Sequence, residues 1–233
     1  MESIDKLPGT FEKRITAGKA NVPGAVIKRL PRYHRCLGDL IRDGRMRISS
    51  KDLAEIMEVT ASQIRQDLNC FGGFGQQGYG YNVKYLHAKI SELLGVTDGY
   101  RAVIVGAGNL GRALAATHMF ERRGVERLAL FDVDPDVIGT EICGLPVYSV
   151  DELESFAREN RVDIGVLTVP KEAAVTVTDA LLRAGVRGFW NFANMELKVD
   201  NPDVIVENVH MGDSLMTLCY ALKNKNSGDE KDA

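Results

Sequence analysis

Gly106, Gly108 and Gly111 stand at G-x-G-x-x-G spacing in the run Gly106-Ala107-Gly108-Asn109-Leu110-Gly111, between the apolar stretch Ala102-Val103-Ile104-Val105 and the helix-forming Ala113-Leu114-Ala115. In a strand-turn-helix context the first glycine makes a tight turn, the second lets a pyrophosphate approach the backbone, and the third lets helix and strand pack closely. The helix start then offers free N–H groups to the phosphates. A second apolar stretch, Leu128 to Phe131, ends at Asp132, 21 residues beyond Gly111. A carboxylate there accepts both adenosine ribose hydroxyls and repels the additional phosphate of NADP, so the ligand reads as NAD(H). In such sheets ligands lie at the carboxyl ends of strands, which makes Thr168, Val169, Pro170, Asn191 and Phe192 candidates for the nicotinamide end.

A second group of residues carries a different chemistry. Ser62, Arg65, Gln66 and Asn69 share the outward side of a short helix whose inward side is Ala61, Ile64 and Leu68. Arginine takes two acceptors of guanine and Gln or Asn pairs with adenine, so this face suits a DNA major groove, with Gln63 beside it. Lys28, Arg29, Arg32, Arg35, Arg45 and Arg47 are candidates for phosphate contact.

Two capping boxes position that face. Ser49-Ser50-Lys51-Asp52 opens one helix and Thr60-Ala61-Ser62-Gln63 the next, with only Glu58 and Val59 between them, which predicts a helix-turn-helix. The preceding helix runs from Ala25 through Val26, Leu30, Tyr33, Leu37 and Leu40, and Pro31 is expected to break or kink it. After the helix pair, five glycines alternate with aromatic and amide side chains from Phe71 to Tyr81. The run reads as a β-hairpin wing laying Gln76, Gln77, Gly78 and Tyr79 on DNA, or as a loop carrying core aromatics. A helix capped by Asn82 and stopped by Gly95 closes this domain.

The βα alternation continues behind the glycine loop: a helix capped from Ser149, a strand from Val162 to Val169, a helix from Lys171 to Ala184 and a last strand Gly188 to Asn191. The expected architecture is α/β: an N-terminal winged helix-turn-helix domain (25–98) after an extension (1–24), and a Rossmann doubly wound parallel sheet (99–208). A C-terminal dimerisation helix (209–223) with Leu215, Leu218, Cys219 and Leu222 on one face follows, and then a disordered tail (224–233).

Charge supports the division. Residues 1–98 hold 15 Lys/Arg against 11 Asp/Glu, a net of +4, and residues 99–233 hold 14 against 21, a net of −7, within a total of −3. A basic front half joined to an acidic back half fits a DNA-binding domain attached to a small-molecule domain. No apolar run approaches the roughly 20 residues of a membrane span and the N-terminus lacks a secretory signal, which places the chain in the cytoplasm. Cys36, Cys70, Cys143 and Cys219 show no zinc spacing and are expected as reduced thiols, with Cys143 beside Gly144 the reactive candidate; no metal is expected. His34, His87, His118 and His210 offer no proton-handling partner for a nicotinamide, so no catalytic set is expected. An NAD-dependent enzyme with a helical front domain, or a coenzyme-A-binding module, remain the rival readings.

From about Lys28 to Leu222 the chain resembles the Rex family of redox-sensing transcriptional repressors. The segments that carry the likeness are Thr60 to Leu68, Gly78 to Val83, Val105 to Gly111, Phe131 to Pro135, Leu167 to Pro170, Asn191-Phe192-Ala193 and Val206 to Val209. The resemblance implies a homodimer with its C-terminal helices exchanged. That dimer would bind operator DNA when NADH is scarce, leave it when NADH binds, and control fermentation and respiration genes. Arg35 matches a family arginine that links the DNA-binding domain to the dinucleotide domain. The chain departs from the family pattern at Gln66, Asn69, Cys70 and Gln77, which leaves the operator sequence open. Family members often carry a tyrosine and a partnering aspartate near the nicotinamide where this chain has Thr117 and His210, so the contrast between NAD⁺ and NADH is expected to differ.

Overall fold

The computed structural model describes residues 22–71, 75–76 and 80–229. The chain divides into two compact units: residues up to Tyr100 together with His118–Glu126, and Arg101–Thr117 together with the chain from Arg127. His118–Glu126 lies within the span expected for the dinucleotide domain, yet it packs with the first unit. There Gly124, at φ +68°, approaches the Val96 carbonyl so closely that a Cβ would lie 1.7 Å from it.

In the first unit, α1 (Gly24–Arg42) buries Val26, Leu30, Tyr33, Cys36, Leu37 and Leu40 along one side. Of the break or kink expected at Pro31, the break does not occur: the helix is continuous through it. The proline is exposed, while the buried stripe, with Leu30 before it and Tyr33 after it, holds the turns on both sides. Helices α2 (Ser50–Ile56) and α3 (Ala61–Asn69) start at the expected caps. Ser49 Oγ accepts the Asp52 N–H at 3.0 Å and Thr60 Oγ1 the Gln63 N–H at 3.1 Å. Asn82 likewise caps α4 (Val83–Leu93), its Oδ1 accepting the Tyr85 N–H at 2.9 Å. A small antiparallel sheet, β1 (Arg47–Ile48), β3 (Gly80–Asn82) and β2 (Gly75–Gln76) in that order, completes the unit. Gly80 sits at φ +68° with the Ile48 carbonyl 2.6 Å from where a Cβ would be, so no other residue fits there without backbone movement. Leu30, Tyr33, Leu37, Leu53, Met57, Ile64, Leu68, Leu86 and Ile90 make the core.

The second unit is built on a seven-stranded sheet: β4 (Tyr100–Val105), β5 (Val125–Asp132), β6 (Glu141–Ile142), β7 (Leu145–Ser149), β8 (Ile164–Leu167), β9 (Gly188–Asn191) and β10 (Ile205–Asn208). Their spatial order is β10-β9-β8-β4-β5-β7-β6. β10, β9, β8 and β4 pair in parallel, as do β5 and β7, and β6 returns antiparallel at the edge. Order reverses between β4 and β8, and that switch point opens a crevice at the strands' carboxyl ends. Helices α5 (Asn109–Ala115), α6 (Leu153–Glu159) and α7 (Lys171–Arg183) connect the strands. The strand expected to be the last, β9, is followed by β10, whose alternating exposure (exposed, half-buried, exposed, half-buried) marks a sheet edge with a weak apolar signal.

The C-terminal helix α8 spans Met211–Asp229, so residues 224–229 of the expected tail are helical. No breaker stands between Lys223 and Ser227, and Lys, Asn and Ser are all tolerated in a helix.

Candidate functional site

Within the first unit, Ser62, Arg65, Gln66 and Asn69 are all exposed along α3, as the period of the sequence requires. Arg65 Nη1 reaches the Ser50 hydroxyl at 3.2 Å, which lays the guanidinium beside the start of α2. Lys28, Arg32, Arg35 and Arg45 are exposed on or just beyond α1, and Arg47 on β1. Gln76 lies in β2; Gln77, Gly78 and Tyr79 fall outside the described residues.

Two of the residues assigned to DNA face inward instead. The Arg29 guanidinium grips Asp67 with a fork, Nε to Oδ2 and Nη2 to Oδ1, both at 2.7 Å. Gln63 Nε2 donates to Asp67 Oδ1 at 2.7 Å and the Tyr33 hydroxyl to Oδ2 at 3.0 Å. Asp67 is only 1% exposed, and these donors explain how a carboxylate survives there. The hydrogen bonds from Arg29, Gln63 and Tyr33 hold its pKa below the usual carboxylate range, although burial opposes them. Burial first, and then the Asp67 charge, push the Tyr33 phenol up. The sequence gives no sign of this quartet beyond an acid on an otherwise apolar helix side.

In the second unit the glycine loop has the shape its sequence demands. Gly106 sits at φ +103°, with the Thr168 carbonyl 2.7 Å from where a Cβ would be, and Gly111 packs on the Gly106 carbonyl. Gly108 differs, because a Cβ there would meet nothing within 4 Å. The first and third glycines are thus spent on packing, and the second keeps open a cradle ahead of α5 that a side chain would fill. An open cradle ahead of a helix start is the arrangement in which the free N–H groups of a helix N-terminus can take a phosphate. Arg112, missed by sequence reasoning, braces the loop by donating from Nε to the Ala107 carbonyl at 2.7 Å.

Asp132 stands at the end of β5 as expected, half-buried, and is also a structural acceptor. Its Oδ2 takes the Ala107 N–H at 2.5 Å, and its Oδ1 takes the Val133 and Asp134 N–H groups at 2.8 and 3.0 Å. A carboxylate has about four acceptor positions, and these backbone donors take three of them.

Thr168 lies across the switch point, its hydroxyl directed to the carbonyls of Val105 and Gly106 at 3.0 and 2.8 Å. Val169 is half-buried, Pro170 caps α7, and the Phe192 ring meets Trp190 edge-on at 4.7 Å. Asn191 is not available to a ligand. It is fully buried; its Nδ2 donates to the Met195 carbonyl and Asn208 Oδ1 at 2.9 and 2.8 Å, and its Oδ1 accepts the Ala193 N–H at 3.0 Å. Thr117 turns its hydroxyl onto the Leu114 carbonyl, and His210 Nε2 pairs with Glu196 at 3.1 Å. All four cysteines are free; Cys143 is exposed at φ +53°. Among the described residues, no group of three or more His, Cys, Asp or Glu could hold a metal, and no helix is long and apolar enough to cross a membrane.

A helix-turn-helix with a three-stranded wing sheet, carried on one chain with a Rossmann sheet whose glycine loop keeps a phosphate cradle, defines a winged-helix protein with a dinucleotide-type ligand domain. Comparison with known proteins agrees unit by unit. Residues 21–69 match the DNA-binding protein N-terminus family, and residues 97–195 match the CoA binding domain family. The redox-sensing transcriptional repressor Rex of Clostridium tetani is 50% identical over 207 residues, 89% of this chain and 98% of that one. The Rex repressor of Clostridioides difficile is 52% identical over 206 residues, 88% and 98% of the two chains. The crystal structure of RSP in complex with β-NAD⁺ and operator DNA superposes with a TM-score of 0.83 at 48% identity, covering 90% of this chain and 96% of that one. RSP in complex with β-NADH gives 0.82 at 45% identity, covering 91% and 99%. The chain belongs to the Rex family of redox-sensing transcriptional repressors.

Proposed function

We propose that this protein is a transcriptional repressor that binds operator DNA when NADH is low and is released when NADH binds. What carries the reading is that one chain holds both an exposed polar face on α3 and an open Gly108 cradle. A relative 48% identical, RSP, has been crystallised with both operator DNA and β-NAD⁺. Ser62, Arg65, Gln66 and Asn69 face base edges, while Lys28, Arg32, Arg35 and Arg47, with the wing, contact phosphates. Gly106 to Gly111 cradles the pyrophosphate, Asp132 takes a ribose hydroxyl, and Thr168, Val169, Pro170 and Phe192 line the nicotinamide end.

The match to CoA-binding domains raises coenzyme A as a second ligand. Its adenosine ribose carries a 3′-phosphate, which the Asp132 carboxylate would repel, so NAD(H) fits better. The protein works as a homodimer in the cytoplasm. Along α8, Met211, Leu215, Leu218 and Leu222 recur at helical spacing with more than half of each exposed, and a second copy exchanging this helix would cover them. In this reading the protein is a repressor and does no chemistry on its ligand.

To shift a DNA-competent population from 99:1 to 1:99, NADH must prefer the released state by about 10⁴-fold, roughly 5.5 kcal/mol, which two sites in a dimer share. The test is a titration of labelled palindromic DNA at fixed salt with NADH, NAD⁺ and coenzyme A. NADH alone should release the DNA, and NADH should remain unconsumed. Release by coenzyme A, or equal effects of NADH and NAD⁺, would overturn the reading.

A further inference from the structure

Asp67 is the one buried carboxylate among the described residues, and it sits on the back of the helix whose front faces DNA in the function proposed above. Its neighbours on the inward side of α3, Ile64 and Leu68, are fully buried and apolar. Apolar packing is strong but non-directional. Replacing a buried ion pair by apolar groups of similar volume is often neutral or stabilising, so a buried charge is a weak argument for stability alone. What it adds is direction. Both carboxylate oxygens are doubly bonded: Oδ2 to Arg29 Nε and Tyr33, Oδ1 to Arg29 Nη2 and Gln63. Arg29 and Tyr33 lie one turn apart on α1, so the carboxylate plane is referenced to a second helix at two levels.

We propose that Asp67 is a positioning residue for sequence reading, fixing the roll of α3 about its own axis against α1 through the Arg29 fork and Tyr33, while Gln63, on α3 itself, holds the carboxylate in its rotamer. Side-chain tips lie about 5–6 Å from a helix axis, so a roll of about 20° moves them by roughly 2 Å, enough to break a base contact. Phosphate contacts made by flexible Lys and Arg side chains on α1 and β1 tolerate such a roll. The carboxylate also fixes the Gln63 amide, because an acceptor-only group must face its NH2 and leaves Oε1 on the far side. Loss of the fork therefore costs discrimination between sequences before it costs binding.

The experiment first lets the wild-type full-length protein select its operator from a randomised palindromic duplex library. Affinities for that duplex and for a scrambled one are then measured at several salt concentrations, at a temperature where each variant is folded. Asp67→Asn is expected to lower the operator-to-scrambled ratio at least tenfold, while leaving affinity for scrambled DNA, its salt slope and NADH binding unchanged. Arg29→Lys keeps the charge but not the fork and should fall with it; Tyr33→Phe, losing one neutral hydrogen bond, should fall severalfold less and keeps the test alive if Asp67→Asn fails to fold. An unchanged ratio in folded Asp67→Asn or Tyr33→Phe, or a wild-type ratio in Arg29→Lys, makes the quartet merely structural and overturns the proposal. Failure of the wild-type protein to select any sequence is a separate result that removes the DNA-reading function itself, and this role with it.

Discussion

A Cβ on Gly111 would lie 1.8 Å from the carbonyl oxygen of Gly106, so the third and first glycines of the loop are in direct backbone contact, whereas Gly108 between them touches nothing on that side. The two alanine variants should therefore fail differently. Gly111→Ala pushes α5 off the sheet, an overpacking that costs typically about 1–3 kcal/mol or more, and should lower the melting temperature along with NADH affinity. Gly108→Ala, at an N-cap position where alanine costs about 1 kcal/mol, should melt closer to the wild type than Gly111→Ala does but bind NADH at least tenfold more weakly, because its methyl stands in the cradle. Thermal unfolding and NADH fluorescence titrations on both variants separate the two roles.

Asp132 links the ligand site to the loop's own geometry. Its Oδ2 holds the Ala107 N–H and its Oδ1 two further backbone donors. In Asp132→Asn the amide NH2 must face one of these donors and loses that bond, while the negative charge disappears. NADH affinity should fall, and NADPH affinity, limited in the wild type by repulsion of the 2′-phosphate, should fall less or rise. The ratio of the two dissociation constants is the measurement; an unchanged ratio would mean that Asp132 serves the loop alone.

These two sites were legible in the sequence to different degrees, for a physical reason. The glycine pattern and Asp132 are local: the three glycines fall within six residues of one another, and the acid closes the next strand of the same unit. Asp67 is not legible because its partners Arg29 and Tyr33 are 38 and 34 residues away and no periodicity connects them. Arg29, without that partner in view, reads as a phosphate ligand. Asn191 reads as a ligand residue because it ends a strand; the amide of Asn208, 17 residues on in an edge strand with weak patterning, is what claims it. Pro31 signals a break by its intrinsic preference, and the buried stripe on both sides of it keeps the helix continuous.

The first unit carries a pH response of its own. The imidazoles of His34 on α1 and His87 on α4 lie with centroids 4.3 Å apart. The Ser91 hydroxyl lies 2.9 Å from the His87 carbonyl and 3.0 Å from His34 Nε2, which ties the two rings to one side chain. Burial lowers both histidine pKa values, and for His34 the His87 and Arg123 charges lower it further. Protonation is thus harder in the folded state. The stabilisation is complete above the unfolded value of about 6.5 and is lost as pH falls through the lowered folded values. Urea unfolding followed from pH 7.5 to 5 should show falling stability, and His87→Phe should flatten the slope. Equal slopes in the two proteins would rule out the histidine pair as the source.

Helix α8 sets the last expectation. Met211, Leu215, Leu218 and Leu222 are 61%, 61%, 54% and 52% exposed, and a monomer in water would carry that stripe uncovered. If a second copy covers it, Leu218→Glu with Leu222→Glu places two charges in an apolar interface and should convert a particle of twice the chain mass to one of the chain mass in sedimentation equilibrium. The glycine loop and Asp132 are distant from α8 in sequence, so each separated chain should retain a folded Rossmann sheet. Operator affinity should fall by orders of magnitude, because a monomer engages one half-site where the dimer engages two. A double variant that stays at twice the chain mass would show that the stripe packs elsewhere and that the copies meet through another surface.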